Sequence, residues 1–397
     1  MSEIKVNSIK GVGASAAAIT VNNTDGTCTA NITNNLSNRN LIINGAMQVA
    51  QRGTSSTSAG FNTVDRFKTQ KSSTDETPSQ AQADVAAGTT PYTLGFRKSY
   101  KVTNGNQTSG AGSGDLIKIQ TIIEAQDIAN SGWNYLSTSS YITLSYWVKS
   151  SVAQNFYVNL ITNDGTAQNY VTETGSLTAD TWTKVTKTIS GNSNLQFDND
   201  VNEGLRIEIN MFRGTDTTGT RPLNAWAALD SATRLPDMTS TWYTTNDATF
   251  EITGVQLEVS SVATDFEHRS FAQELALCQR YYEMIGFSTG TGVQATVAFG
   301  MQYTTNGSFY GDIVYKQTMR AIPTLDSNNS TGDNETFEVF SASNSNGIKF
   351  NSLDGITGQD TRALTVYKNS VSATGGDASF LRMEPDAGKT FGLSAEL

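Results

Sequence analysis

Along most of the chain apolar and polar residues alternate with a period of two, the spacing of a strand with one face buried and one face in water. The clearest runs are 115–120, 141–148, 156–161, 182–185, 205–209 and 250–255. Asn163-Asp164-Gly165, just beyond the third run, is a hairpin signal. Many half-buried antiparallel strands joined by Gly, Asn and Thr turns predict a mainly β fold with a two-sheet sandwich of jelly-roll type. Successive βα units are missing from the pattern, which disfavours a parallel α/β sheet.

Three stretches depart from this rhythm. Residues 4–32 alternate weakly and are broken at Gly11-Val12-Gly13 and Asp25-Gly26, predicting short strands with too little apolar area to fold alone. They read as an extended N-terminal arm, 1–38, that needs a partner chain. In 270–284 the spacing of Phe271, Leu275, Cys278 and Tyr282 gives one helix face, Ser270 with Gln273 makes a capping box, and the helix is expected to end near Gly286. One helix cannot bury such a stripe alone, so this face is expected to pack around a threefold axis or to bridge two β domains. Strands return after Phe287, with runs at 293–299, 309–315, 337–340 and 363–367. The predicted organisation is therefore arm 1–38, sandwich 39–266, connecting helix 267–286 and a C-terminal β domain 287–397, in keeping with 397 residues exceeding a single core.

Charge narrows the partners. The chain carries 27 Lys and Arg against 37 Asp and Glu, a net charge of −10, which argues against nucleic acid and anionic membranes. The amino terminus, Met1-Ser2-Glu3-Ile4-Lys5, lacks an apolar leader, and no stretch reaches the ~20 apolar residues of a membrane span, so cytosolic synthesis without membrane insertion is expected. His268 is the only histidine, which removes most zinc and nucleophile-triad chemistry; it is expected at a surface or junction, paired with Glu267. Cys28 and Cys278 lie too far apart in sequence for a disulfide framework or metal knuckle and read as free thiols.

Several phrases carry a resemblance. An opening phrase runs from Asn40-Leu41-Ile42-Ile43-Asn44-Gly45 to Gln51-Arg52-Gly53, with Val64-Asp65-Arg66-Phe67 soon after. A closing phrase, Ile252-Thr253-Gly254-Val255-Gln256-Leu257-Glu258-Val259, leads through Ala263-Thr264-Asp265-Phe266-Glu267-His268-Arg269 to Glu274-Leu275-Ala276-Leu277-Cys278-Gln279-Arg280-Tyr281-Tyr282. Residues 180–184 and 197–200 match interior phrases. Over roughly 40–283 the chain resembles fibre and appendage proteins of tailed bacteriophages, particularly those of marine bacteria and cyanobacteria. It departs from them at Ser260-Ser261, where Gly-Ser or Gly-Thr is usual, and at Asp265, where Pro is usual. The resemblance implies a sandwich similar to carbohydrate-binding modules, a homotrimer, an arm that docks on other virion tail or capsid proteins, and a distal C-terminal end. The expected role is non-enzymatic: a tail fibre attaching to host surface glycan, located in the virion. The alternatives are a purely structural capsid projection or tail adaptor, and a tailspike that degrades polysaccharide.

Flat aromatic rings with nearby amides and carboxylates are the usual means of sugar recognition. Trp133, Tyr135, Trp242 and Tyr243 lie in polar, loop-like contexts and are candidate glycan contacts, with core or rim packing as the competing reading. Tyr303 and Tyr310 in the C-terminal domain are likewise candidate glycan contacts, and for them and for Phe309 packing between subunits is the competing reading. Trp147 and Trp182 sit in strand patterns and read as core. Asp198, Asp200 and Asn202 present oxygens at alternate positions, a candidate for structural calcium, while Ile209 at the twelfth place excludes an EF-hand. No other cofactor is expected. Carboxylate pairs for glycoside cleavage are assembled by the fold and have no sequence spacing to read.

Overall fold

A computed structural model describes residues 8–10, 12, 19–21, 24, 28–30, 38–287, 295–328, 337–350, 352–383 and 390–397. The Cys28 side chain, Gly11 and Gly13, the Asp25-Gly26 break and most of the arm lie outside the described residues. Three short strands there, Ser8–Ile9, Ile19–Val21 and Cys28–Ala30, pair antiparallel.

The alternating runs become two six-stranded antiparallel sheets. The first runs Trp226–Ala228, Gln168–Glu173, Tyr157–Thr162, Glu203–Arg213, Leu116–Glu124, Lys68–Ser72; the second runs Thr183–Ser190, Tyr141–Ser150, Thr249–Glu258, Lys98–Thr103, Ser79–Asp84, Ser55–Ser56. Inward residues such as Ile119, Ile207, Leu160, Tyr146, Val148 and Phe250 form one core between the sheets, a jelly-roll sandwich. The outer face of the first sheet is polar yet buried. Glu208 at its centre takes an ion pair from Lys118, another from Arg213 at 3.3 Å and a hydrogen bond from Asn159. One carboxylate among several cations is held below its usual range, because their attraction outweighs the burial that opposes it. Lys118, sharing that single anion, is pushed down to about 8, mainly by burial.

The opening and closing phrases meet in space. The Asn40 side chain donates to Val255 O at 3.1 Å and accepts from Leu257 N at 3.1 Å, and a Cβ on Gly45 would stand 2.1 Å from Val255 O, so only glycine lets the two segments touch.

The helix spans Phe271–Gln279, with the expected capping box at Ser270 and Gln273. It stops earlier than its apolar spacing suggests. Tyr282 is in the strand Tyr282–Phe287, which pairs with Thr390–Ser394, so the backbone exchanges helical bonds for a ladder. Of the expected face, Cys278 is buried, Leu275 is half-buried and Phe271 is 55% exposed. The buried helix side adds Glu274, which accepts from Asn44 N, and Gln279. The face therefore covers the opening phrase within the chain, and Phe271 is turned away from it.

Beyond the helix are a three-stranded sheet, Tyr282–Phe287, Thr390–Ser394, Thr324–Asn328, and a seven-stranded sheet ordered Asn344–Phe350, Phe337–Ser341, Ala378–Met383, Thr296–Gln302, Phe309–Val314, Ala363–Lys368, Gly355–Thr357. They enclose a second core that includes Phe309, Val339, Leu364, Leu381 and Phe391. Both ends of this unit are fastened to the sandwich at one joint. Arg66, 2% exposed, pairs with Glu396, donates to Ile122 O at 2.7 Å and lies 3.4 Å above the Tyr281 ring. Arg52 lies 3.4 Å above the Tyr282 ring and reaches Glu396 at 3.3 Å and Asp326 at 3.4 Å. Glu124 accepts from Arg280 at 2.8 and 2.9 Å and from the Tyr281 hydroxyl at 2.5 Å, which together overcome burial and hold it below its usual range. Asp65 accepts from Gln51 N at 2.9 Å, and burial raises it to about 6 against the pull of Gln51 and Arg52.

Candidate functional site

The direction of the strands leaving this joint fixes which end of the C-terminal unit is free. A Cβ on Gly286 would meet Met383 Sδ at 2.8 Å and Val297 Cγ2 at 3.2 Å, so the 296 and 383 ends of the large sheet adjoin the joint side. Strands Thr296–Gln302, Phe337–Ser341 and Ala363–Lys368 run away from it, and Phe309–Val314 and Ala378–Met383 return. The turns at 303–308, 342–343 and 369–377 therefore gather at the far end.

These turns form one hydrogen-bonded tip. Gln302, fully buried, donates from Nε2 to Thr304 O and Val371 O, both at 3.0 Å. Asn306 N donates to Ala373 O at 2.8 Å, Val371 N to Gly307 O at 2.8 Å, and Gly375 N to Thr305 Oγ1 at 3.0 Å. The third turn is tied in by Thr374 N to Ser343 Oγ, 2.8 Å, and Ser343 N to Asp377 Oδ2, 3.0 Å. Asn306 and Ser370 take positive φ, 55° and 57°, conformations that a short polar side chain tolerates. The tip is thus ordered before any ligand arrives, which lowers the entropic cost of binding. Its outward side chains are mostly neutral donors and acceptors: Thr304, Thr305, Asn306, Ser343, Ser370 and Thr374 are exposed.

An aromatic ladder rises into this tip. Tyr303 is 69% exposed and meets Tyr310 edge-on at 6.0 Å, and Tyr310 stacks with Tyr367 at 5.9 Å and 29°. In register, Met301, Tyr310 and Tyr367 lie side by side on three strands, and Phe299, Asp312 and Thr365 form the next row on the same outer face. Of the sequence candidates, then, Tyr303 and Tyr310 are brought together beside a polar rim. Phe309 lies on the opposite, buried side of its strand.

The sandwich candidates are placed differently. Trp242, Tyr243 and Trp133 are core residues, at 0%, 1% and 3% exposure, and offer no ring face to a sugar. A one-turn helix, Thr241–Thr244, turns both Trp242 and Tyr243 inward; Trp242 Nε1 donates to Thr249 O at 3.1 Å and the Tyr243 ring stacks on Phe212 at 4.5 Å. Tyr135 is half-buried and edge-on to Phe197 at 4.9 Å. Trp147 and Trp182, expected in the core, are half-buried on the outer face of the second sheet, packed against a small cluster of Ala46, Val85 and Phe96. Trp147 lies in the strand Tyr141–Ser150 and Trp182 immediately precedes Thr183–Ser190, but that face carries its own layer of loops, which alternation does not reveal.

Among the described residues no group of three or more His, Cys, Asp or Glu side chains could hold a metal ion. The Asp200 carboxylate accepts from Asn202 N at 2.9 Å and from the Asn202 side chain, and Asp198 accepts from Gln196 at 2.7 Å, so these oxygens close a turn. His268 does not pair with Glu267: its Nε2 meets Leu94 O at 2.9 Å, while Glu267 accepts from Asn40 N at 2.8 Å and pairs with Arg269 at 3.4 Å. Cys278 is free and buried, and burial raises its thiol well above the usual range.

No family model matches the chain, and no curated protein matches it. Among solved structures it is similar to the enzymatically active domain of bacteriophage CBA120 tailspike protein 4, at 11% identity over 56% of this chain and 21% of that chain, with a TM-score of 0.29. It is similar to a putative sugar-binding protein from Bacteroides thetaiotaomicron, at 12% identity over 56% of this chain and 100% of that one, with a TM-score of 0.31. It is also similar to the N-terminal cellulose-binding domain of a Cellulomonas fimi β-1,4-glucanase, at 12% identity over 54% of this chain and 100% of that one, with a TM-score of 0.26.

Proposed function

We propose that this chain is a non-catalytic attachment protein of a bacteriophage virion, a trimeric tail fibre whose C-terminal tip binds glycan on the host surface. The observation that carries this reading is the tip: pre-ordered turns of Tyr, Ser, Thr, Asn and Gly, an exposed Tyr303 ring, and a position at the free end of a unit fastened elsewhere. Tyr offers a broad amphipathic surface at small entropy cost, and Ser, Asn and Gly give adaptable hydrogen bonding, a combination suited to recognition. A pyranose stacked on Tyr303 would find hydroxyl and amide partners on the neighbouring turns.

Single-ring contacts are weak, and adhesion then depends on several tips engaging one surface. Association between copies is supported by the outer face below the ladder, where Phe299 and Val314 are 73% and 75% exposed and carry no polar atoms for a sugar; the threefold number comes from the resemblance. The arm at 1–38 would dock on other virion proteins.

The test is glycan-array binding of the intact protein against Tyr303→Ala, with an incubation on the bound polysaccharide to follow its molecular mass. Saturable binding that is lost in the variant, with no fall in mass, is the expected result. Binding that Tyr303→Ala leaves unchanged overturns the assignment of the tip, and a falling mass overturns the non-catalytic role.

A further inference from the structure

We infer that the sandwich carries a second saccharide site, a cleft over the outer face of its second sheet that holds one uncharged hexopyranose ring against Trp147. The cleft has a volume of about 250 Å³ and is walled by Trp147, Phe96 and Phe266, with Lys184, Asp265 and His268 at its polar margin. Phe96 and Phe266 meet edge-on at 4.9 Å, so the apolar wall is braced by ring packing. The strands explain the rest of the arrangement. Lys184 stands opposite Trp147 in the ladder between Thr183–Ser190 and Tyr141–Ser150, which sets an ammonium beside the indole.

The charges decide the ligand class. Lys149, on the same sheet face, is held by Glu251 at 2.9 Å. Lys184 has no ion-pair partner among the described residues, and the exposed Asp265 uses its backbone carbonyl, not its carboxylate, to accept from Arg39 and Gln256. One free cation and one free anion at the margin cancel, so the cleft has no net field to select a charged sugar. They supply instead a donor and an acceptor, what two neighbouring hydroxyls need when the ring's C–H face lies on an aromatic wall. His268 Nε2 is spent on Leu94 O, so its remaining edge contributes packing. A volume of this size takes one ring and excludes a chain threaded lengthwise.

The site stands or falls apart from the tip, and the experiment keeps the two distinct. The protein has five tryptophans, so its indole N–H signals can be followed singly by NMR during titration with methyl glucopyranoside, mannopyranoside and galactopyranoside. The Trp147 signal, assigned from Trp147→Phe, is expected to move saturably with at least one of them, with half-saturation on the order of millimolar. Lys184→Ala and Asp265→Ala, both changes at exposed side chains, are each expected to raise that concentration at least about fivefold through a lost charged hydrogen bond. Tyr303→Ala is expected to leave the Trp147 titration unchanged. No saturable movement up to about a hundred times the expected half-saturation, or saturation that neither marginal variant weakens, overturns the proposal.

Discussion

Glu396→Gln is the sharpest perturbation of the joint on which the free tip depends. The wild-type carboxylate sits between two guanidiniums, Arg66 and Arg52, and is itself nearly buried. Gln preserves shape and an acceptor oxygen but removes the charge, leaving Arg66 with neutral partners alone: the amide oxygen, Ile122 O and the Tyr281 ring. Removing one partner of a buried pair costs about 3–5 kcal/mol; the Tyr281 ring contact is the same in both proteins, and Gln keeps a neutral acceptor, so a loss near the lower end, about 3 kcal/mol, is expected. For a unit of this size that is a fall of about 10–15 °C in its unfolding midpoint by differential scanning calorimetry. Asp326→Asn removes a half-exposed partner of Arg52 and is the control, with an expected cost under about 1 kcal/mol. Equal small shifts for the two variants would refute the view that the buried ion pair, and not the surrounding apolar contacts, fastens the C-terminal unit.

Three further expectations follow from the same geometry. Asp65 is raised to about 6 from 3.8, so between those values the folded state holds a proton that the unfolded state has released, and stability falls as pH rises through that window. Asp65→Asn should therefore gain on the wild type by at most about 3 kcal/mol between pH 4 and 7 in chemical denaturation; a constant difference would refute it. Gln302→Leu leaves Thr304 O and Val371 O without their donor, costs about 1–3 kcal/mol, and should speed hydrogen exchange at the Asn306 and Val371 amides while sparing the sandwich. Gly254→Ala forces a Cβ into a backbone with φ of +63° and to 2.6 Å from the Phe96 ring, so it should lower stability by about 1–2 kcal/mol and shift the Trp147 indole signal.

Much of the fold was legible because burial on one sheet face writes itself into every second residue. Tyr141–Ser150 shows this, with Ile142, Leu144, Tyr146 and Val148 inward. The capping box at Ser270 was equally readable, being local. The end of that helix was not, since it depends on pairing with Thr390–Ser394, more than a hundred residues away. The same limit misplaced Trp242 and Tyr243: a polar neighbourhood in sequence gives no sign that a single helical turn points both rings inward. Buried charge was the least visible feature. Arg66, Glu124 and Glu208 look like surface residues by type and are buried, and the Glu396 side chain is nearly so, because their partners come from distant segments. The phrases behind the resemblance fall in two places: Asp65, Arg66, Arg280, Tyr281 and Tyr282 fasten the joint, while Lys184, Asp265, Phe266 and His268 line the cleft beside Trp147. Tyr303 had no signal beyond its residue type.

The most direct test of attachment through the tip is binding of the purified protein to bacterial surface polysaccharide, comparing wild type with Tyr303→Ala and Tyr303→Phe. At 69% exposure the side chain contributes little to folding, so both variants should keep the wild-type unfolding midpoint within about 2 °C. The account predicts that Tyr303→Ala loses at least about tenfold in affinity, while Tyr303→Phe, which keeps the ring, retains most of it. Undiminished binding by Tyr303→Ala would contradict it.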